Sequence, residues 1–451
     1  MKTLRVASYG IWGSVGDALT PEVVIDLAAA FGTFSDGGRV LVGRDTRRSS
    51  PMFHAAVVSG LLSTGCEVLD FGVCPTPLLQ FFVRQYKAAG AISVSAAHAR
   101  MGMNALALIN SGGAFIEPVG GEAVQDIFHA KNFSHKPWDG IGKVRAVTDF
   151  ADAYLDALCG FLDAASIRKA KFKVIIDPVN GAGCRFLPPF AERLGFTLIP
   201  INSEESDHLG HDAEPRPRNA NQVAALMRVV KADVGFVSSS DMGRLSLVSE
   251  TGETASEEYT FPLIAAYVLA RRSGTLVTNC CTTRTVDKVA AKYGANIIKT
   301  RVGQAYIMAA LADEDGVIGG EGNGSVALPA FSRACDAFLM MGLVLEAMAL
   351  RQKTVSALLG ELPRYHIVKK RVYGETRQCY RALENILEKQ AWQAGGIVDL
   401  MEGVRVDWPD GWVHLRTSDT EPIIRIISES ESVELAENRA VEFVRMLEQV
   451  L

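Results

Sequence analysis

The chain has 451 residues, of which 48% are hydrophobic and 22% charged, with 46 Lys and Arg against 51 Asp and Glu. This composition excludes a disordered chain, which would carry fewer apolar residues and more net charge. The net charge of -5 excludes a broad nucleic-acid surface, which needs clustered cations to release counterions, but leaves room for a local basic pocket. At roughly 150 residues per domain the length predicts about three domains. The opening segment MKTLRVASYGIWG has no apolar signal core, and the apolar stretch from Ala337 to Leu345 is broken too soon to span a bilayer. The expectation is a cytoplasmic protein with no membrane or nucleic-acid partner.

In chain order the pattern is strand, glycine turn, helix, repeated. Residues 39–43 read as a short buried strand, 51–63 as a helix, 66–71 as a strand, 77–86 as a helix and 91–95 as a strand. The alternation restarts with strands at 172–177, 196–200 and 234–237 around a helix at 222–230. A third restart runs through strands at 275–278 and 297–300, helices at 286–293 and 306–311, a strand-like segment at 315–318 before the glycine-rich loop 319–325, and a long apolar helix at 338–350. Strands separated by helices of this length predict parallel pairing and right-handed crossovers. The tail differs: strands at 365–373, 404–407, 411–416 and 423–429 precede an amphipathic helix over 431–451. The expected architecture is three related α/β domains with mixed or parallel sheets and a smaller α+β domain, divided as 1–147, 148–250, 251–362 and 363–451.

The cysteines are scattered, and no CxxC pair occurs. Cys280 and Cys281 are too close in sequence for an ordinary bridge. They read as reduced, mostly buried thiols. His208 and His211 form no credible metal set with the carboxylates of 207–212.

Four loops carry residues suited to chemistry. Arg416–Pro422, followed by Arg425, combines guanidinium groups and hydroxyls that suit a phosphate, or makes a plain polar turn. Gly319–Ser325 offers glycines for close backbone approach, with Glu321 and Asn323 to hold hydroxyls; a bare glycine-rich turn fits as well. Ser238–Arg244 follows a strand, where ligands collect in open α/β sheets, and carries Asp241 and Arg244. One carboxylate is poor for Mg²⁺. Ser93–Arg100 ends another strand and carries His98, open to phosphate binding, proton donation, phosphoryl acceptance or a structural role. Gly43-Arg44-Asp45-Thr46-Arg47 reads as an internal Arg–Asp lock rather than an anion loop, because its charges are partly balanced.

Taken together and in this order, the segments Tyr9–Gly13, Gly43–Arg47, Thr76-Pro77, Gly320–Gly324 and Arg416–Pro422 resemble the α-D-phosphohexomutase superfamily of phosphoglucomutases, phosphomannomutases and phosphoglucosamine mutases. The resemblance runs nearly end to end. It implies three related α/β domains and a smaller fourth around a central cleft. It also implies phosphoryl transfer between a phosphoserine and a sugar phosphate beside one Mg²⁺, which neutralises charge on the transferring group.

The resemblance also implies losses. The family's serine loop reads Thr/Ser-Ala-Ser-His-Asn-Pro; here Ser95-Ala96-Ala97-His98-Ala99-Arg100 puts Ala97 at the phosphorylated serine. Ala107 stands at an expected lysine and Trp12 at an expected arginine. The metal loop, Asp-Gly-Asp-x-Asp-Arg in the family, is Ser239-Ser240-Asp241-Met242-Gly243-Arg244, with two of its three carboxylates gone. The phosphate clamp is largely kept in Arg416, Ser418, Thr420 and Arg425, with Asp419 at a common glycine. Glu321 and Asn323 match the sugar loop, and Arg301 supplies a further positive group. The expectation is a phosphosugar-binding protein without the conventional reaction and without a metal or other cofactor. Alternatives are an isomerase, epimerase or lyase using His98, and a structural or regulatory paralogue. Partners are a sugar phosphate, a second copy, or an active homologue.

Overall fold

The computed structural model describes residues 4–7, 9–97, 99, 101–388, 395–417 and 423–451. Among them, four sheets follow one another along the chain. The first has the order Arg5–Ala7, Gly10–Ser14, Met103–Asn110, Gly90–Val94, Arg39–Arg44, Glu67–Val73, Val144–Ala146. The second runs Leu245–Val248, Val234–Ser238, Lys173–Asp177, Thr197–Pro200, and the third runs Asn296–Thr300, Thr275–Asn279, Ile318–Glu321, Ser325–Ala327. The expected strands and helices are present, displaced by one to three residues at their ends.

The expected parallel pairing holds for the remaining core strands, and each of these sheets also carries an antiparallel return, at one edge in the second and third sheets and inside the first, where two further antiparallel pairs follow it. Gly90–Val94 pairs antiparallel with Met103–Asn110, Val234–Ser238 with Leu245–Val248, and Ile318–Glu321 with Ser325–Ala327. The connecting segments, 95–102, 239–244 and 322–324, are shorter than the roughly dozen residues that a parallel crossover needs, so the chain turns straight back. These three turns occupy the same place in three copies of one motif: parallel strands, then an antiparallel return. They are also the loops that carry Ala97, Asp241 and Asn323. Tyr9–Gly13 is likewise not wholly a loop, since Gly10–Ser14 pairs with Met103–Asn110 and sets Trp12 opposite Ala105 and Gly10 opposite Ala107.

Gly319 and Gly320 are in a strand rather than in the turn expected for them. Packing explains their residue type. A Cβ on Gly319 would sit 2.7 Å from Leu311 and 2.8 Å from Ile307, and one on Gly320 would sit 2.6 Å from Phe261.

The apolar helix Ala337–Arg351 is buried on nearly every side, as its uniform hydrophobicity requires. Asp336 caps it, accepting from the amides of Phe338 and Leu339 and from the Tyr154 hydroxyl at 2.5 Å. Burial pushes the Asp336 carboxyl up to about 6. Phe338 packs on Phe186 and Phe190 with ring centroids 6.2 and 5.3 Å away, joining the second and third units in one core.

The fourth sheet is antiparallel, in the order His366–Tyr373, Ile423–Ser430, Gly411–Thr417, Val404–Trp408, Ile397–Asp399. The helices Thr376–Glu388 and Val433–Glu448 share its apolar core. Among the described residues no helix is long and apolar enough to cross a membrane.

Candidate active cleft

The turn carrying Ala97 is built on a buried ion pair. Asp45 and Arg47 are 1% and 3% exposed, with Arg47 Nε 3.2 Å from Asp45 Oδ2. The Asp45 carboxylate also accepts from Ser50 Oγ at 2.5 Å, Ser95 Oγ at 3.0 Å and the Arg47 amide at 3.0 Å. Arg47 then donates to the carbonyls of Ala97 at 3.3 Å and Ala99 at 2.6 Å. The Gly43–Arg47 segment is therefore the internal lock expected of it. It holds Ala97 in a left-handed conformation, φ 45°, which costs a residue with a Cβ of order 1 kcal/mol or more. His98 lies outside the described residues.

The second turn faces the first. Ser240 Oγ donates to the Ala97 carbonyl at 2.7 Å, and the Thr76 amide donates to the Asp241 carbonyl at 3.2 Å. Asp241 is turned into its own loop: Oδ1 accepts from Ser239 Oγ at 2.6 Å and the Gly243 amide at 3.1 Å. Arg244 reaches away to Glu214 at 3.3 Å. Met242, at φ 63° and fully buried, accepts the Ala337 amide through its carbonyl, so the loop is anchored to the central helix.

The third turn abuts the second. Ser325 Oγ lies 3.4 Å from the Gly243 carbonyl, and the Leu245 amide donates to the Gly324 carbonyl at 2.9 Å. Asn323 Nδ2 donates to Glu321 Oε2 at 3.1 Å, and Glu321 Oε1 accepts from Asn279 Nδ2 at 2.7 Å and the Gly303 amide at 3.1 Å. Glu321 is 4% exposed, so three donors compensate the removal of its carboxylate from water. Glu258 packs against the same turn. Burial pushes its carboxyl up to about 7, although Lys369 Nζ lies 2.8 Å away. A Cβ on Gly322 would collide with it. Arg301 is exposed, beside the Val302 amide.

The fourth sheet completes the line. Val302 N donates to Glu402 Oε2 at 2.5 Å, and Glu402 Oε1 pairs with Arg416. Arg416 and Arg425 are directly opposite on neighbouring strands. Ser418, Asp419 and Thr420 lie outside the described residues. The polar contacts Ala97–Ser240, Gly243–Ser325, Glu321–Gly303, Val302–Glu402 and Glu402–Arg416 thus step from one turn or strand end to the next. The structure brings Ala97, Asp241, Glu321, Asn323 and Arg416 into one line. It leaves Arg301 exposed at the margin and turns Arg244 toward Glu214.

Residues 4–135, 152–252 and 256–365 match phosphoglucomutase/phosphomannomutase α/β/α domains I, II and III. A phosphoglucomutase/phosphomannomutase of Thermococcus kodakarensis is 32% identical over 98% of each chain. The chain belongs to the phosphoglucomutase/phosphomannomutase family. It is also similar to a probable phosphoglucosamine mutase of Thermococcus gammatolerans, 32% identical over 98% of this chain and 97% of that one. A crystal structure of a putative phosphomannomutase from Thermus thermophilus superposes with a TM-score of 0.83 at 25% identity, covering 100% of this chain and 98% of that one. Membership of the α-D-phosphohexomutase superfamily fits the triplicated motif and the small β-rich fourth unit.

Nothing in the sequence marks Glu402 or Asn279. Glu402 is a lone acid in a turn fourteen residues before Arg416, and nothing in that spacing marks an ion pair. Ser240 stands out only as a hydroxyl where the family pattern has glycine.

Proposed function

We propose that this family member binds a sugar phosphate along the line of loops and does not run the phosphoserine- and Mg²⁺-dependent mutase reaction. The observation that carries the proposal is the junction of Ala97 and Ser240. Where the family pattern places the nucleophile there is a methyl group, and the Ala97 carbonyl accepts from both Arg47 and Ser240. A methyl group cannot take or return a phosphoryl group.

The neighbouring loop does not fit Mg²⁺. Its single carboxylate is engaged by Ser239 and Gly243, and the Ser240 hydroxyl is directed at a backbone carbonyl. A hard cation that demands near-octahedral oxygen ligation finds one charged donor there. Binding is supported by Arg416 and Arg425, held as cross-strand neighbours, and by Glu321 and Asn323, held as a hydrogen-bonded pair. A guanidinium pair suits a phosphate, and a carboxylate with an amide suits sugar hydroxyls. Ser418 and Thr420 belong to the same clamp in this reading, and Arg301 lends positive charge at its margin.

Two measurements test the proposal: calorimetric titration with a panel of hexose and aminohexose phosphates, and a coupled mutase assay with Mg²⁺ and a bisphosphate activator. Binding without turnover is expected. Turnover at a rate ordinary for an enzyme, or no binding across the panel, overturns it.

A further inference from the structure

Outside the cleft, one cluster among the described residues has the composition and spacing of a metal site. Cys280 and Cys281 follow the strand Thr275–Asn279 of the third sheet, and His414 lies within the strand Gly411–Thr417 of the fourth. The two Sγ atoms are 4.0 Å apart, and Cys281 Sγ is 2.9 Å from His414 Nδ1. All three donor atoms lie within 4.8 Å of one another. In a tetrahedral zinc site, with Zn–S near 2.3 Å and Zn–N near 2.0 Å, donors are separated by about 3.5–3.8 Å. The set is thus within small side-chain shifts of ligating geometry.

The surroundings favour ligation over a plain thiol contact. His414 Nε2 is 2.5 Å from the Glu402 carbonyl, and a carbonyl only accepts, so the proton is on Nε2. In the neutral ring this leaves the Nδ1 lone pair aimed at Cys281. A ligating histidine whose other nitrogen donates to a carbonyl is the usual second layer of a metal site. The turn is held so that both thiols face one side: the Cys281 amide donates to Asn279 Oδ1 at 2.8 Å, and Arg405 donates to the Cys280 carbonyl. Arg405 is itself clamped by Asp407 at 2.6 and 2.8 Å. Cys280 and His414 are 2% and 0% exposed, while Cys281 is only partly buried and leaves a route for an ion and a solvent ligand.

We propose that Cys280, Cys281 and His414 form a zinc-type site that fastens the third α/β unit to the fourth sheet. Two thiolates and an imidazole select a borderline-soft ion such as Zn²⁺ over Mg²⁺ or Ca²⁺. Binding releases the two thiol protons and leaves one coordination position for water. The site shares Glu402 with the clamp: the carbonyl of that residue orients His414 and its carboxylate pairs with Arg416. Its occupancy does not depend on the proposed sugar-phosphate binding.

The test uses the full chain, reduced and freed of metal by chelator. Titration with Co²⁺ should give a thiolate-to-cobalt charge-transfer band and tetrahedral visible bands that saturate at one equivalent. Zn²⁺ should displace the cobalt and raise the melting temperature. The band should vanish in the double variant Cys280→Ser/Cys281→Ser, with circular dichroism unchanged. If that variant does not fold, alkylation of the wild-type protein decides: Zn²⁺ should shield Cys280 and Cys281 and leave modification of the other cysteines unaltered. Absence of the charge-transfer band in the wild-type protein, its persistence in a folded double variant, or shielding confined to other cysteines would overturn the proposal.

Discussion

The two ends of the line of loops have diverged differently. At one end Ala97 meets Ser240, and neutral Ala97, Ser239 and Gly243 stand where the resemblance implies a nucleophile and two carboxylates. At the other end Arg416 meets Glu402, and the charges are kept. A buried Asp45–Arg47 pair supports the Ala97 turn, and Asn279 and the Gly303 amide support Glu321. The difference teaches that the turn geometry rests on backbone hydrogen bonds and buried lock residues, not on the side chains that perform the chemistry. Those side chains are therefore replaceable without loss of the fold.

The largest expected effect comes from breaking the scaffold at the neutral end. Asp45→Ala strands the buried Arg47 charge and removes the partner of Ser50 and Ser95. Loss of one member of a buried pair costs about 3–5 kcal/mol, readable as a fall in the chemical denaturation midpoint. A substitution such as Arg244→Ala, at a partly exposed ion pair, should cost far less; equal losses would dissolve the distinction between lock and surface.

Next in size is a pH effect at the third turn, where Glu258 packs against Gly322. Burial raises the Glu258 carboxyl from 4.5 to about 7, so the folded state favours its protonated form. That contribution is present below pH 4.5 and is lost as pH rises to about 7. Glu258's own contribution to stability should fall across this window, on the order of 3 kcal/mol. Glu258→Gln should flatten that part of the stability–pH curve. An unchanged curve would assign the slope to other groups.

Binding changes come third. Arg416→Ala should weaken a sugar phosphate by about 1.5–3 kcal/mol, the range for a hydrogen bond to a charged group, or roughly 10- to 150-fold in Kd by calorimetry. The smallest effect should follow Glu402→Gln. Its carboxylate competes with phosphate for Arg416, so neutralising it should tighten binding by up to about 1 kcal/mol. Weaker binding in this variant would mean that Glu402 positions Arg416 rather than competes for it.

Much of the fold was legible because the apolar strands of the first three units alternate with helices of crossover length. The antiparallel returns were not, since Leu245–Val248 and Ser325–Ala327 are too short to announce a direction. In the site, Ala97, Asp241, Glu321 and Asn323 were legible because each sits in a contiguous motif. Cys281 and His414 were not, being 133 residues apart, with neither half of the pair carrying a motif. Glu402 was hidden for a related reason: its value lies in three contacts made by its carbonyl and two carboxylate oxygens to separate segments.

The central claim is tested most directly by phosphorus NMR of a hexose 1-phosphate mixed with stoichiometric protein, Mg²⁺ and a catalytic amount of hexose 1,6-bisphosphate. A broadened or shifted 1-phosphate resonance is expected, moved back toward its free position by Arg416→Ala, with no growth of a 6-phosphate signal. A growing 6-phosphate resonance that requires this protein, or a 1-phosphate resonance unaffected by it across the hexose series, would contradict the account.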